Sequence, residues 1–125
     1  MRMRRPVHEL GICRSLLKMV ADVARQHGGV VETVVLRIGP LSGVEAAAVR
    51  RAFPIAASGT VADGAALVVE TADVVVRCRA CGTTTQATAG NLACGSCGDW
   101  HTDLLSGDEM LLVRVELKQE VGADV

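Results

Sequence analysis

The sequence predicts an α/β fold: a small mixed β-sheet packed with two helices, plus an inserted four-cysteine, zinc-ribbon-like module. Three observations predict it. Helix-like and strand-like stretches alternate through residue 76, a last strand-like stretch closes the chain at 109–118, and four cysteines in two Cys-x-x-Cys pairs lie between them. At 125 residues the chain makes one domain, or a domain with one small satellite.

The elements follow in order. Residues 1–6 (MRMRRP) are basic and end at Pro6, so they read as an extension detached from the fold. A helical pattern begins at His8. Leu10, Cys13, Leu17, Val20 and Ala24 recur at three- and four-residue steps, with Arg14, Lys18, Asp22 and Arg25 between them. Gly28-Gly29 stops this helix, with His27 in its last turn. VETVVLRIG (31–39) alternates and is β-branched, hence a strand, and Pro40 ends it. Ser42 and Glu45 have the spacing of a capping box, so a second helix is expected from Ser42 through Phe53. Pro54 should kink or end it. Ser58 to Gly64 is a polar turn region. Ala66 to Val76 reads as one long strand, or as a strand bent near Ala72-Asp73, and EMLLVRVELK (109–118) is the closing strand. The expected organisation is an extension (1–6), the first part of an α/β domain (7–76), a zinc module (77–103), the domain's closing strand (104–118) and a tail (119–125).

Composition narrows the function classes. Half the residues are hydrophobic, yet there is one Phe, one Trp and no Tyr, so Val, Leu, Ile and Ala must fill the core. Such a core buries little area per residue in a short chain, and a metal staple would help. The net charge is −1, from 13 basic and 14 acidic residues, which gives no electrostatic case for nucleic acid. No run of ~18 apolar residues is present, so no membrane span is expected. The start lacks an apolar signal core, and the reading is cytoplasmic. Thiols stay reduced there, and paired cysteines favour metal over disulfide.

In CRACGTTTQATAGNLACGSCG, Cys78/Cys81 and Cys94/Cys97 form two Cys-x-x-Cys turns. Each turn supplies two thiolates at a bite suited to tetrahedral Zn(2+), and Gly82, Gly95 and Gly98 permit tight backbone around them. A redox dithiol would stand alone at a strand-to-helix junction, which two matched pairs argue against. Iron remains an alternative, because a four-cysteine site accepts it. Four cysteines close the coordination sphere, so the ion would be structural rather than catalytic. Cys13 lies on the apolar stripe of the first helix and reads as core. His8-Glu9 has two readings from spacing: an imidazole and carboxylate suited to Ni(II), or an acidic residue favouring a helix N-terminus beside a solvated ring. His27 is a last-turn helix residue. His101, beside Trp100, is a ligand or an exposed ring.

Taken together, His-Glu-Leu (8–10), RIGPLSGVE (37–45), AF (52–53), DGAAL (63–67), the two Cys-x-x-Cys turns and SGDEMLL (106–112) resemble the HypA/HybF family of hydrogenase nickel-incorporation proteins. The pieces keep family order across residues 7 to 118. The resemblance implies a nickel metallochaperone and not an enzyme. It implies Ni(2+) as the transported ion at His8 and Glu9, making 7–76 part of a nickel-binding domain, and zinc as a structural ion at the four cysteines. It implies a HypB-type GTPase and the [NiFe]-hydrogenase large subunit as partners, with urease served in some organisms, and it leaves a homodimer open. In that family the His directly follows the initiator Met, whereas here six residues precede Val7. The simplest account is a start assigned too early, with a GTG codon at position 7 read as Val. The competing function is a zinc-ribbon module for nucleic acid or interaction, which would be expected to carry a basic face and stacking aromatics. No Ser/His/Asp grouping or phosphate-cradling loop supports catalysis.

Overall fold

The computed structural model describes residues 6–119, with side chains from Glu9 onward. The expected extension before Pro6, the tail beyond Gln119 and the His8 side chain lie outside the described residues. The elements are α1 (Pro6–His27), β1 (Val30–Ile38), α2 (Ala46–Ala57), β2 (Ala66–Thr71), β3 (Val74–Cys78), β4 (Thr84–Ala87), β5 (Thr102–Ser106) and β6 (Met110–Lys118). The chain divides into two compact units. The first holds residues up to Leu36, Glu45–Val69 and the chain from Leu112; the second holds Arg37–Val44 and Glu70–Leu111.

The first helix starts two residues before the expected His8. A proline is well placed as the first helical residue, because the amide hydrogen it lacks would have no intrahelical partner there. Cys13, Leu16, Leu17, Val20 and Ala24 are buried, which is the expected stripe with Leu16 added and Leu10 only half-buried. Glu9, one turn before Cys13, is also buried, at 1% exposure. The helix ends as its sequence implies: the Gly28 amide donates to the Ala24 carbonyl at 2.8 Å, and Gly28 takes φ 71°.

The second helix departs from expectation at both ends. It opens at Ala46, with Glu45 as an extended N-cap residue that makes no side-chain cap bond. Ser42 is no cap. Its hydroxyl accepts a hydrogen bond from the Val44 amide at 3.1 Å, within a loop whose Gly43 has φ 81°. Nor does Pro54 end the helix, which continues to Ala57. A proline inside a helix typically costs about 3 kcal/mol through a lost hydrogen bond and a ring clash. The burial of Val49, Ala52, Phe53 and Ala57 along one face offsets that cost, and the Ser58 amide closes the last turn on the Pro54 carbonyl at 3.2 Å. In the first unit α1 packs on α2, with the Cys13 thiol directed at the Val49 carbonyl, 3.8 Å away.

The strands form two three-stranded sheets rather than one, ordered β2-β1-β6 and β4-β3-β5. In the middle strand β1, consecutive Val34, Val35 and Leu36 are all fully buried, so both faces of that strand are covered. Residues 66–76 form neither one long strand nor one bent strand: the chain breaks at Ala72-Asp73, β2 lies in the first sheet, and β3 is the centre of the second. The cysteine module is therefore a sheet of its own. Both partners run antiparallel to β3, with Val76 opposite Thr85 and Leu104, Arg77 opposite Thr84 and Asp103, and Cys78 opposite Thr102. Alternation along β3 buries Val74, Val76 and Cys78 and exposes Arg77.

One approach in the second unit explains two glycine-bearing segments. The Gly39 amide donates to the Glu109 carbonyl at 2.8 Å, and the Leu41 amide donates to the Gly107 carbonyl at 2.7 Å. A Cβ on Gly39 would lie 2.1 Å from the Gly107 oxygen, closer than any side chain allows. Gly107 itself adopts φ 120° against Val74. No helix of the described chain is long and apolar enough to cross a membrane.

Candidate metal centre

The two Cys-x-x-Cys turns have matched local structure. In each, the first sulfur accepts two amide hydrogens: Cys78 Sγ from Ala80 and Cys81 at 3.3 and 3.4 Å, Cys94 Sγ from Ser96 and Cys97 at 3.3 and 3.4 Å. In each, the following glycine closes the turn, with the Gly82 amide on the Cys78 carbonyl at 3.0 Å and the Gly98 amide on the Cys94 carbonyl at 2.9 Å. Both glycines take positive φ, 75° and 80°, which a side chain would strain. Amides aimed at sulfur favour the thiolate, the form that binds metal.

The fold brings all four sulfurs together, within 4.8 Å of one another. Cys78 Sγ lies 3.6 Å from Cys97 Sγ, and Cys81 Sγ lies 3.7 Å from Cys94 Sγ. A tetrahedral ion with metal–sulfur bonds of about 2.3 Å needs sulfurs about 3.8 Å apart. The two closest pairs already stand near that spacing, so the four sulfurs suit such an ion. Cys78 and Cys94 are buried, and Cys81 and Cys97 are exposed.

The electrostatics of the thiols are uneven. The amides of Cys97 and then Ser96 bring the Cys94 thiol down from 9.0 to about 6. The Thr83 hydroxyl and then its amide lower Cys81 as well. At Cys97 the largest single influence, the Asp99 amide, lowers the pKa, but the Cys78 thiol, burial, and Cys81 and Cys94 together push it up to about 12. Four thiolates cannot share one site without a cation, so part of the cluster keeps its protons until metal displaces them.

His101 stands outside this cluster. Its ring stacks on Trp100 with centroids 4.0 Å apart, and its Nδ1 lies 2.7 Å from the Asp99 carboxylate. The Asp99 carboxyl is held below its usual range by the His101 amide first and its ring second. Arg79 binds the Asp103 carboxylate through Nε at 2.9 Å and a second nitrogen at 2.6 Å. Among the described residues, the four cysteines form the one group of three or more His, Cys, Asp or Glu able to hold a metal ion. His27 is the last residue of α1. In the first unit, burial and then the Glu9 charge raise the Cys13 thiol, in keeping with a core residue.

Sequence reasoning missed the layer around the sulfurs. Thr83 and Thr85 belong to it, and the signal was present: three threonines directly after the first Cys-x-x-Cys-Gly are strand-formers whose alternate members share a face. It also missed the burial of Glu9, which stands one turn before Cys13 on the same stripe.

Four cysteine sulfurs gathered on a sheet of their own, in a chain that also carries a helix-and-sheet unit, define a small α/β protein with a candidate metal-binding cluster. Comparison with known proteins sharpens that class. The family model for hydrogenase/urease nickel incorporation, metallochaperone, hypA matches residues 7–117. The hydrogenase maturation factor HypA of Nitrosospira multiformis is 41% identical over 112 residues, covering 89% of this chain and 97% of that protein. The HypA of Aquifex aeolicus is 37% identical over 113 residues, covering 90% and 98%. The fold matches the solution structure of a HypA protein with TM-score 0.71 at 24% identity, over 91% of this chain and 98% of that one. It also matches the solution structure of the Ni metallochaperone HypA from Helicobacter pylori, with TM-score 0.66 at 23% identity, over 90% and 98%. The chain belongs to the HypA family.

Proposed function

We propose that this chain is a cytoplasmic carrier that binds Ni(II) near its N-terminal end and hands it on for maturation of [NiFe]-hydrogenase, with a structural zinc ion at Cys78, Cys81, Cys94 and Cys97. The observation that carries this reading is the family match over residues 7–117, which includes His8-Glu9 and both cysteine turns. Nickel is cargo. His8 supplies the imidazole, and because the Glu9 carboxylate is buried at 1% exposure, Glu9 contributes through its backbone amide. The partners are a HypB-type GTPase and the hydrogenase large subunit. Four thiolates leave a bound zinc no open position for substrate, which supports a carrier over an enzyme.

The nucleic-acid alternative is disfavoured by the metal unit's own charges. Its Arg37, Arg77 and Arg79 are outnumbered by Glu70, Asp73, Asp99, Asp103, Asp108 and Glu109, and four thiolates around Zn(2+) would add two more negative charges. A phosphate backbone would be repelled.

Metal analysis and nickel titration test the reading together. The purified chain should hold about one zinc and bind about one further nickel. His8→Ala should remove the nickel and leave the zinc. Nickel binding should weaken as pH falls, because imidazole and amide donors must lose protons to bind. A form starting at position 7, with Met in place of Val, should bind nickel more tightly, since its amino group lies beside His8. Nickel affinity indifferent to His8→Ala in both forms would overturn the N-terminal site, and stoichiometric iron in place of zinc would overturn the zinc assignment.

A further inference from the structure

The two cysteine turns are not supported alike. Cys78 ends a central strand paired on both sides, so the first turn grows out of the sheet. The second turn lies in segment 91–98, between β4 and β5, and belongs to no strand. Two side-chain bonds tie that segment to the sheet. The Gly95 amide donates to Thr85 Oγ1 at 2.9 Å, and Thr102 Oγ1 donates to the Leu92 carbonyl at 2.7 Å.

Register puts both threonines on one face. Thr85 on β4 is opposite Val76, and Thr102 on β5 is opposite Cys78. Val76 and Cys78 are two residues apart on β3, so they share a face with their partners. Each edge strand thus sends one hydroxyl from the Cys78 face to the segment carrying Cys94 and Cys97. Thr84, opposite Arg77, is on the other face. The fit at Gly95 is close: a Cβ there would meet Thr85 Cβ at 3.2 Å and Oγ1 at 3.3 Å. The next two amides, Ser96 and Cys97, are those that point at Cys94 Sγ.

We infer that Thr85 and Thr102 are positioning residues of the metal centre, clamping the Cys94–Cys97 turn over the Cys78–Cys81 turn at the spacing one tetrahedral ion requires. The inference rests on the zinc reading of the four cysteines. Neither threonine touches the metal; each acts through the backbone of the second turn. Loss of such outer partners typically costs about 10–100-fold in metal affinity.

The test uses the full chain loaded with zinc, and measures zinc transfer to a chromophoric chelator alongside the visible spectrum of the cobalt-substituted protein. Thr85→Val and Thr102→Val keep volume and remove the hydroxyl. Each should release zinc about tenfold faster than wild type and broaden or shift the cobalt bands. Thr85→Ser should restore both readouts, and Thr84→Val, on the opposite face, should match wild type. Gly95→Ala, whose Cβ would press on Thr85 Cβ and Oγ1, should also speed release; that variant decides the matter should Thr85→Val fail to fold. Wild type that takes up neither zinc nor cobalt would sink the zinc reading itself. Wild type that binds both, with Thr85→Val and Thr102→Val indistinguishable from Thr84→Val, would sink the clamp alone.

Discussion

The two units draw on different sources of order. In the helix-bearing unit, α1, α2 and β1 bury Leu17, Val20, Val34, Val35, Leu36, Val49 and Phe53, each contributing about 1.5–3 kcal/mol for full burial of a side chain of that size. In the metal unit, the buried apolar side chains are Ile38, Ala72, Val74, Val76 and the cluster cysteines Cys78 and Cys94. So little apolar burial leaves the cysteines as the main cross-link, and an ion joining them ties four points of the segment at once. A chain poor in aromatics can thus close one unit with aliphatic packing and the other with coordination chemistry.

Removing the metal should break this comparison most visibly. Chelation, or Cys94→Ser, should loosen and destabilise the metal unit while far-UV circular dichroism retains the signal of α1 and α2. Loss of the helices on chelation would show that the first unit also depends on the ion. The metal-free cluster has its own pH window. The Cys94 thiol, lowered from 9.0 to about 6, favours the folded form above its ordinary value and loses that benefit as pH falls through about 6. The Cys97 thiol, raised from 9.0 to about 12, favours the folded form below its ordinary value and loses that benefit as pH rises toward 12. The metal-free unit should therefore be best ordered between those limits. In a chelated unit that stays folded, thiolate absorbance should appear first near pH 6, and a first step near 9 would mark a chelated unit that has lost the turn around Cys94.

Gly39→Ala comes next in size. Its Cβ would overlap the Gly107 carbonyl, and backbone cannot swing aside as a side-chain tip can, so a loss of about 3 kcal/mol or more is expected. Thermal melting would read it, with zinc release quickened in the same variant. A wild-type melt would mean that the two loops can separate freely. A smaller effect belongs to the other unit: Cys13→Ala should lower stability by about 1–2 kcal/mol with metal content unchanged. Altered zinc stoichiometry there would contradict the separation of Cys13 from the cluster. Smallest of all, Arg79→Ala removes an exposed ion pair with Asp103 and should leave the melting curve unmoved.

Much of this was legible in the sequence. The stripe of α1, its glycine stop, the strand before Pro40 and the four cysteines all follow from periodicity and spacing, which are local. Features set by distant partners were not. Ser42 has the spacing of a cap, yet its loop is drawn to residues 107–109 by backbone bonds, and the helix opens four residues later. Pro54 reads equally as a kink or a stop, and burial of Phe53 and Ala57 carries the helix past it. The separate sheet around β3 could not be read either, because β4 is only four residues long and β5 takes its meaning from pairing with β3. In the candidate metal centre the four cysteines were evident and the threonines bonded to the second turn were not, since spacing announces paired cysteines whereas a hydroxyl's partner is recognised only from what stands opposite it.

Trp100 is the chain's only tryptophan, and there is no tyrosine. It is 75% exposed, stacked on His101 and three residues beyond Cys97. Ultraviolet emission from this protein therefore comes from one indole, and that indole sits in the metal unit. The molecule carries its own optical label for metal loading. Stopped-flow fluorescence can follow the arrival or departure of an ion without added dye, while a change confined to the helices passes unseen in that channel.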